Sequence, residues 1–301
     1  MRAADPADAN REAKFIMVGR PQKRGKSKAP KAAGADSGDM VFVETFAIPS
    51  FGGPADDDVE AAQEIMWDAW DAGTRKQRIA LANKALAISP LCADAYVLLA
   101  QETARTPQEA ADLHRKGVEA GETALGEQAF RDDAGDFWLI LETRPYMRAR
   151  QGLAMALWKL GRHEEAVTHY RDMLRLNPND NQGIRYILLD CLLELGLDDE
   201  AAKLLRRYKD DGSAHWAWAG ALSLFQREGD NAASRKALAR AAKTNKHIAA
   251  YLLGRRKLPR SLPAFISMGG EDEAVAYVHD SAVPWNATPG ALRWLAEVLP
   301  A

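Results

Sequence analysis

The densest concentration of side chains able to grip a charged ligand lies between Glu142 and Arg150. There Glu142, Arg144, Tyr146, Arg148 and Arg150 fall in the string ETRPYMRAR. Guanidinium groups present flat, forked donors that match carboxylate or phosphate oxygens. The chemistry this spacing offers is recognition of an anionic group, not bond breaking. About one repeat further on, Asn181, Gln182, Arg185 and Tyr186 occupy the corresponding region. Arg144, Tyr146, Arg148, Arg150, Asn181, Arg185 and Tyr186 are therefore the candidate partner-binding residues. The competing reading is internal pairing, with Glu142 the nearest acid, that braces the segment.

Catalytic and metal chemistry finds no comparable footing. The patterns HExxH, paired CxxC, GxGxxG, GxSxG and the P-loop are absent from the sequence. The loop Asn177–Gly183 fails as a calcium loop: its first position is not Asp, its glycine comes one place late, and Leu188 stands where a bidentate Glu is required. Asn179 and Asp180 suit helix capping instead. His163 and His169 fall on opposite sides of a helix, while Glu165 and His169 share a face and suit a surface hydrogen bond. The expectation is a protein with no catalytic residue, no metal ligand set and no cofactor.

The arginines stand on a repeat, and the repeat predicts the architecture. The tetratricopeptide pattern places W-x2-L-G-x2-Y, then A-x3-F, then P over about 34 residues. Leu153, Ala154, Leu157, Ala166, Tyr170 and Pro178 fill it, with Gly161 at the turn between two helices. The leucines recur at the spacing of a buried helical stripe, and the alanines let the helices approach. The same register places turns at Gly73 and Gly229, and at Gly196 with a slip of one residue. It also gives core positions at Ile65 and Met66, at Ile184, Ile187, Leu188 and Cys191, and at Trp218, Ala221, Leu222 and Phe225. A shorter unit holds Tyr96, Leu99, Ala100, Ala110 and His114. The fold class is all-α: a tetratricopeptide-like solenoid of roughly five helical hairpins, each burying apolar surface against its neighbours.

Three stretches depart from the repeat. Residues 1–58 read as a tail, basic and then acidic. Arg20, Lys23, Arg24, Lys26, Lys28 and Lys31 come without an acid, and Asp56, Asp57 and Asp58 follow later. A weakly alternating segment, Met40–Ile48, lies between them. The repeats are assigned to residues 59–248, with an insertion at about 121–147 that carries Phe137, Trp138 and Leu139. Residues 249–301 read as an irregular helical cap, in which Pro284 interrupts and Thr288-Pro289 starts a last helix by the usual N-cap and N1 preferences. Trp67, Trp70, Trp216, Trp218 and Trp294 fall at helical spacing in apolar stretches and suit the core.

Composition sets the outer bounds. In 301 residues, 47% are hydrophobic and the formal net charge is −2, so no global field points to nucleic acid or membrane. Two distant cysteines, Cys92 and Cys191, suggest a reducing compartment. The longest apolar run, Trp216–Phe225, is about half of a membrane span. The start lacks an apolar signal segment, so a cytoplasmic location is the expectation.

Three strings carry a family resemblance: FWLILETRPYMRARQGLA (Phe137–Ala154), LNPNDNQGIRY (Leu176–Tyr186) and TPGALRWL (Thr288–Leu295). Over about Ala61–Val298 the chain resembles the suppressor of tumorigenicity seven family, and within it the soluble bacterial relatives. The resemblance implies a tetratricopeptide-like fold and supplies no reaction and no catalytic residues. The membrane-spanning segments of animal members have no counterpart in this sequence. The positions that form a carboxylate clamp in related solenoids hold Arg148, Gln151, Met155, Gln182 and Arg185, so chaperone-tail binding is not implied. The functional expectation is an adaptor that binds a protein or peptide partner, acidic in character, along a groove lined by first helices. The alternative is a nucleic-acid-associated protein using residues 20–31 as a basic arm, against which the lack of stacking aromatics argues. The oligomeric state is left open.

Overall fold

The computed structural model describes residues 54–300. The basic run and the Met40–Ile48 segment lie outside the described residues. Within them the regular structure is helical throughout, with thirteen α-helices and no strand. The first ten form five hairpins in chain order. These are α1 (Pro54–Asp71) with α2 (Arg75–Ile88), α3 (Ala93–Thr103) with α4 (Pro107–Asp132), α5 (Arg144–Lys159) with α6 (His163–Leu176), α7 (Ile184–Glu194) with α8 (Asp198–Arg207), and α9 (Ala214–Glu228) with α10 (Ala232–Thr244).

Local chemistry sets these boundaries. The turns of the third, fourth and fifth hairpins hold Gly161, Gly196 and Gly229 at φ of 75°, 66° and 70°. A side chain there would meet the carbonyl that follows it, so glycine marks the turn. Thr74, Thr106 and Ser213 each accept a backbone N–H at the start of α2, α4 and α9. Asn231 and Ser234 form a reciprocal capping box on α10.

The repeat positions are the core. Leu153, Ala154, Leu157, Ala166 and Tyr170 are buried, as are Trp218, Ala221 and Leu222. Of the tryptophans, Trp216, Trp218 and Trp294 are buried, while Trp67 and Trp70 are partly exposed. One apolar cluster runs from the second hairpin to the C-terminal helices. A smaller one joins α1 and α2 to the start of α3 through Met66, Ala85 and Leu98. Each hairpin leans on the next, α2 on α3, α4 on α5, α6 on α7 and α8 on α9. The result is a tetratricopeptide-like stack in which no unit shields its own apolar face.

Three details differ from the sequence expectation. Pro54–Asp58, assigned to the tail, belong to α1. The insertion is half helix: α4 continues to Asp132 across a bend at Gly126 (φ 68°, ψ 163°), and only residues 133–143 form a loop. That loop is tied to the third hairpin by the N–H groups of Gly135 and Phe137, which donate to the Leu176 carbonyl at 2.9 and 3.2 Å. The lengthened α4 packs tightly on α5, and a Cβ on Gly121 would stand 2.9 Å from that of Tyr146.

The third difference is in the cap, which comprises α11 (Ile248–Leu252), α12 (Glu271–Ala287) and α13 (Ala291–Val298). Pro284 does not stop α12; it sits buried in the last turn, where its missing N–H forfeits a single hydrogen bond. Thr288 closes α12 instead of opening α13: its N–H and Oγ1 both donate to the Pro284 carbonyl. The last helix begins after Gly290, which takes a left-handed backbone at φ 80°. α12 packs against α7 and α9, the first helices of the fourth and fifth hairpins.

Candidate functional site

The seven predicted residues lie at the N-terminal ends of α5 and α7, and most of them are engaged within the fold. Arg148 makes a two-point ion pair with Asp94 of α3, Nε to Oδ1 at 2.7 Å and Nη2 to Oδ2 at 2.5 Å. The Asp94 side chain has no exposed surface, and Gln63 of α1 donates to its Oδ2 at 2.8 Å. One carboxylate thus ties the first helices of three successive hairpins. The internal-pairing reading holds for Arg148, but through Asp94 and not the adjacent Glu142.

Arg185 is held more fully. Its Nε meets Asp211 at 2.8 Å, Nη1 meets Asp180 at 3.0 Å, and Nη2 donates to the Tyr186 hydroxyl at 2.7 Å. The guanidinium also stacks on the Tyr186 and Tyr208 rings. Burial opposes its charge, but Asp211, Tyr186 and Asp180 outweigh that and raise its pKa. Asp180 also caps α7, accepting the N–H groups of Ile184 and Arg185 at 2.7 and 2.9 Å, as its position in the sequence predicts. It does so from a left-handed backbone at φ 51°.

Arg150 pairs with Asp172, donates to the Tyr146 hydroxyl, and reaches His169 Nδ1 at 3.2 Å. Tyr146 is buried between Phe130 and Phe137, and burial pushes its hydroxyl up to about 12. His169 faces Arg150 and does not pair with Glu165, which binds Arg162 at 2.6 Å. Burial and the Arg150 guanidinium hold His169 down at about 4. Asn181 is exposed.

Arg144 stands apart. Its Nε donates to the Trp138 carbonyl at 2.9 Å, its guanidinium lies over the Trp138 ring, and no carboxylate pairs with it among the described residues. Partial burial and the nearby Arg148 lower its pKa. Beside it in the chain, Leu139 and Leu141 are exposed. Trp and Arg are residue types enriched in binding hot spots, and the two exposed leucines add apolar surface beside them. Local spacing signalled Arg144 and Trp138. It gave no sign that Leu139 and Leu141 stay uncovered.

The arginine clusters of α5 and α7 are separate; among the described residues one side-chain hydrogen bond, Gln182 Nε2 donating to Gln151 at 3.3 Å, links α5 to the residues just before α7. Further along the same face, Asp190 of α7 meets His215 of α9 at 3.1 Å and accepts from Ser281 of α12 at 2.7 Å. There α12 covers the first-helix face: Tyr277 and Trp285 are buried, hydrogen-bonded to one another at 2.8 Å, and in contact with Trp218. No described helix lies in this way across α1, α3 and α5. A recess of about 540 Å³ near Glu194, Asp198, Gln226 and Thr288 lies away from the candidate arginines.

Among the described residues no group of three or more His, Cys, Asp or Glu is placed to hold a metal ion. Cys92 and Cys191 are free and buried; burial raises both thiols, Cys92 to about 12. No described helix is long and apolar enough to cross a membrane.

Five stacked hairpins closed by a C-terminal helix define a tetratricopeptide-like repeat protein. The chain belongs to the ST7 family: residues 50–299 match the family model for ST7 protein. It is 30% identical to the human suppressor of tumorigenicity 7 protein-like, a similarity covering 79% of this chain and 45% of that protein. It is also 30% identical to protein ST7 homolog of Caenorhabditis elegans, covering 81% of this chain and 52% of that one. The chain thus spans about half the length of these curated relatives. Among solved structures, YrrB, a TPR protein with an unusual peptide-binding site, is similar at a TM-score of 0.41 and 18% identity, over 63% of this chain and 92% of that one.

Proposed function

We propose that the chain is a non-enzymatic interaction scaffold that binds a protein or peptide with acidic groups along the first-helix face of α1, α3 and α5. The observation that carries this reading is the unequal use of one face. Over α7 and α9 it is occupied by α12, while over α1, α3 and α5 no described helix takes that place. Stacked helical hairpins present an extended concave surface that such proteins use for binding. Arg144, which forms no ion pair among the described residues and is flanked by Trp138 and Leu141, is the anchor; the outer edge of Arg148, whose Nη1 makes no bond to Asp94, extends it. Arg185, Tyr186 and Asn181 mark the far rim, and Arg150 with Tyr146 holds α5 in place.

The test is affinity capture with mass spectrometry, wild type beside Arg144→Glu and Leu141→Asp. A salt-sensitive partner should be recovered by the wild type and lost from both variants, with the helical circular-dichroism signal unchanged. Equal recovery by all three sinks the proposal. Reversal of Arg148 or Arg185 is a poor test, because each would strand buried acids and read stability in place of binding. The nucleic-acid arm rests on residues 20–31, and no described residue bears on it.

A further inference from the structure

We propose that the loop of residues 253–270, between α11 and α12, docks the protein peripherally on an anionic lipid surface. This surface is distinct from the partner face and independent of it. The loop carries Arg255, Arg256, Lys257 and Arg260 and not one acid. The overall charge of −2 conceals this local concentration.

The loop is fixed at both ends. The Arg256 N–H donates to the Ala250 carbonyl at 3.0 Å, and its guanidinium pairs with Glu271 at 2.6 Å. Ser267 donates its N–H and Oγ to Asp272, both at 2.8 Å, and the Gly269 N–H donates to Glu273 at 2.7 Å. Of the three acids that open α12, Glu271 pairs with Arg256, while Asp272 and Glu273 accept from backbone N–H and hydroxyl groups and keep their charge at the loop's base. Arg255, Lys257 and Arg260 make no ion pair among the described residues. Exposed Lys246 adds the same sign near the base, two residues past Thr244, whose carbonyl lies against Gly269.

Between these anchors the apolar side chains stand in water. Phe265 is 85% exposed and Met268 77%, with Leu258 and Ile266 at about 40% each. Single exposed leucines need no explanation, but four large apolar groups on one pinned, acid-free loop do. A basic run followed by such groups on one loop suits a headgroup layer: the charges meet lipid phosphates while the apolar side chains slip beneath them. A folded protein partner fits less well. The apolar groups are exposed on the loop, and of its two hydroxyls that of Ser267 is already bonded to Asp272. No described helix is long and apolar enough to cross a membrane.

The test uses the full chain with Met268→Cys carrying an environment-sensitive fluorophore. The native thiols are buried, so the label selects the new one. The same label at Lys76→Cys on α2 is the control. With phosphatidylcholine vesicles containing phosphatidylserine, the emission at position 268 should shift to the blue, and that at position 76 should not. With phosphatidylcholine alone neither should shift. In sedimentation, joint reversal of Arg255, Lys257 and Arg260 to Glu should weaken binding by about a hundredfold. Phe265→Ser should weaken it by about tenfold. Three results would overturn the proposal: no sedimentation, sedimentation undiminished by the reversal, or an equal blue shift with polyglutamate. The second assigns lipid binding to another segment such as residues 20–31, and the third assigns the loop to an acidic protein.

Discussion

The front and the rear of the stack share one hairpin design but finish their first-helix faces differently. At the rear, α12 lies on α7 and α9, and Tyr277, Trp285 and Trp218 seal an aromatic seam beneath it. At the front, no described helix is added to α1, α3 and α5. They are drawn together by polar groups, Gln63 and Arg148 converging on the buried Asp94. A repeat that cannot bury its own surface has two ways to finish it. This chain uses apolar closure by α12 at the rear and polar ties through Asp94 at the front.

Breaking the rear closure should have the largest effect. Trp285→Ala removes a fully buried indole from the α9–α12 seam and should cost about 3–5 kcal/mol in urea unfolding. It should also raise binding of an apolar dye as α12 loosens. A loss under 1 kcal/mol would mean that α12 is an ornament, not a closure.

Asp94→Ala probes the front. It strands the Arg148 guanidinium, which is one-fifth exposed, and should cost about 3 kcal/mol. Because the damage is to the ties between α1, α3 and α5, hydrogen exchange should quicken there and stay slow in α9 and α12. Uniform quickening would mean that the two halves are not separable.

Acid should weaken the front selectively, by a smaller amount. His114 of α4 lies buried against Gly152 of α5, where a Cβ would overlap its ring. Burial holds this imidazole down at about 4, against an ordinary value of 6.5. It is neutral in the fold at a pH where the unfolded chain already binds the proton. Stability is therefore complete above about pH 6.5 and falls as the pH drops toward about 4, by on the order of 2–3 kcal/mol. His169, also held near 4, adds the same sign. Chemical denaturation across this range should show the slope, and His114→Gln should flatten it whatever its effect at neutral pH.

Much of the stack was legible because it is written locally. Glycines at Gly161, Gly196 and Gly229 fix turns by backbone sterics alone, and Leu153, Ala154 and Leu157 expose their buried stripe through spacing. The site was less legible because its partners are distant in sequence. Arg148 was recognisable as a charge, but Asp94 lies 54 residues away, and nothing in ETRPYMRAR distinguishes it from Glu142. Pro284 misled for a related reason: a proline in the final turn forfeits one hydrogen bond, and burial against the stack outweighs that loss. Thr288-Pro289 has the form of a helix start, yet Thr288 bonds backward to Pro284, and Gly290 provides the start that follows. The length of α4 was hidden because Gly121 and Gly126 resemble loop residues when the close approach of Tyr146 is unknown.

The most direct measurement is hydrogen–deuterium exchange on the full chain, alone and with its captured partner. New protection should appear in α1, α3 and α5 and across residues 137–144, while α9 and α12 and the part of α7 beneath α12 remain unchanged. Protection spreading along α7 and α9 with release of α12 would contradict the account, because it would make the covered face the binding face.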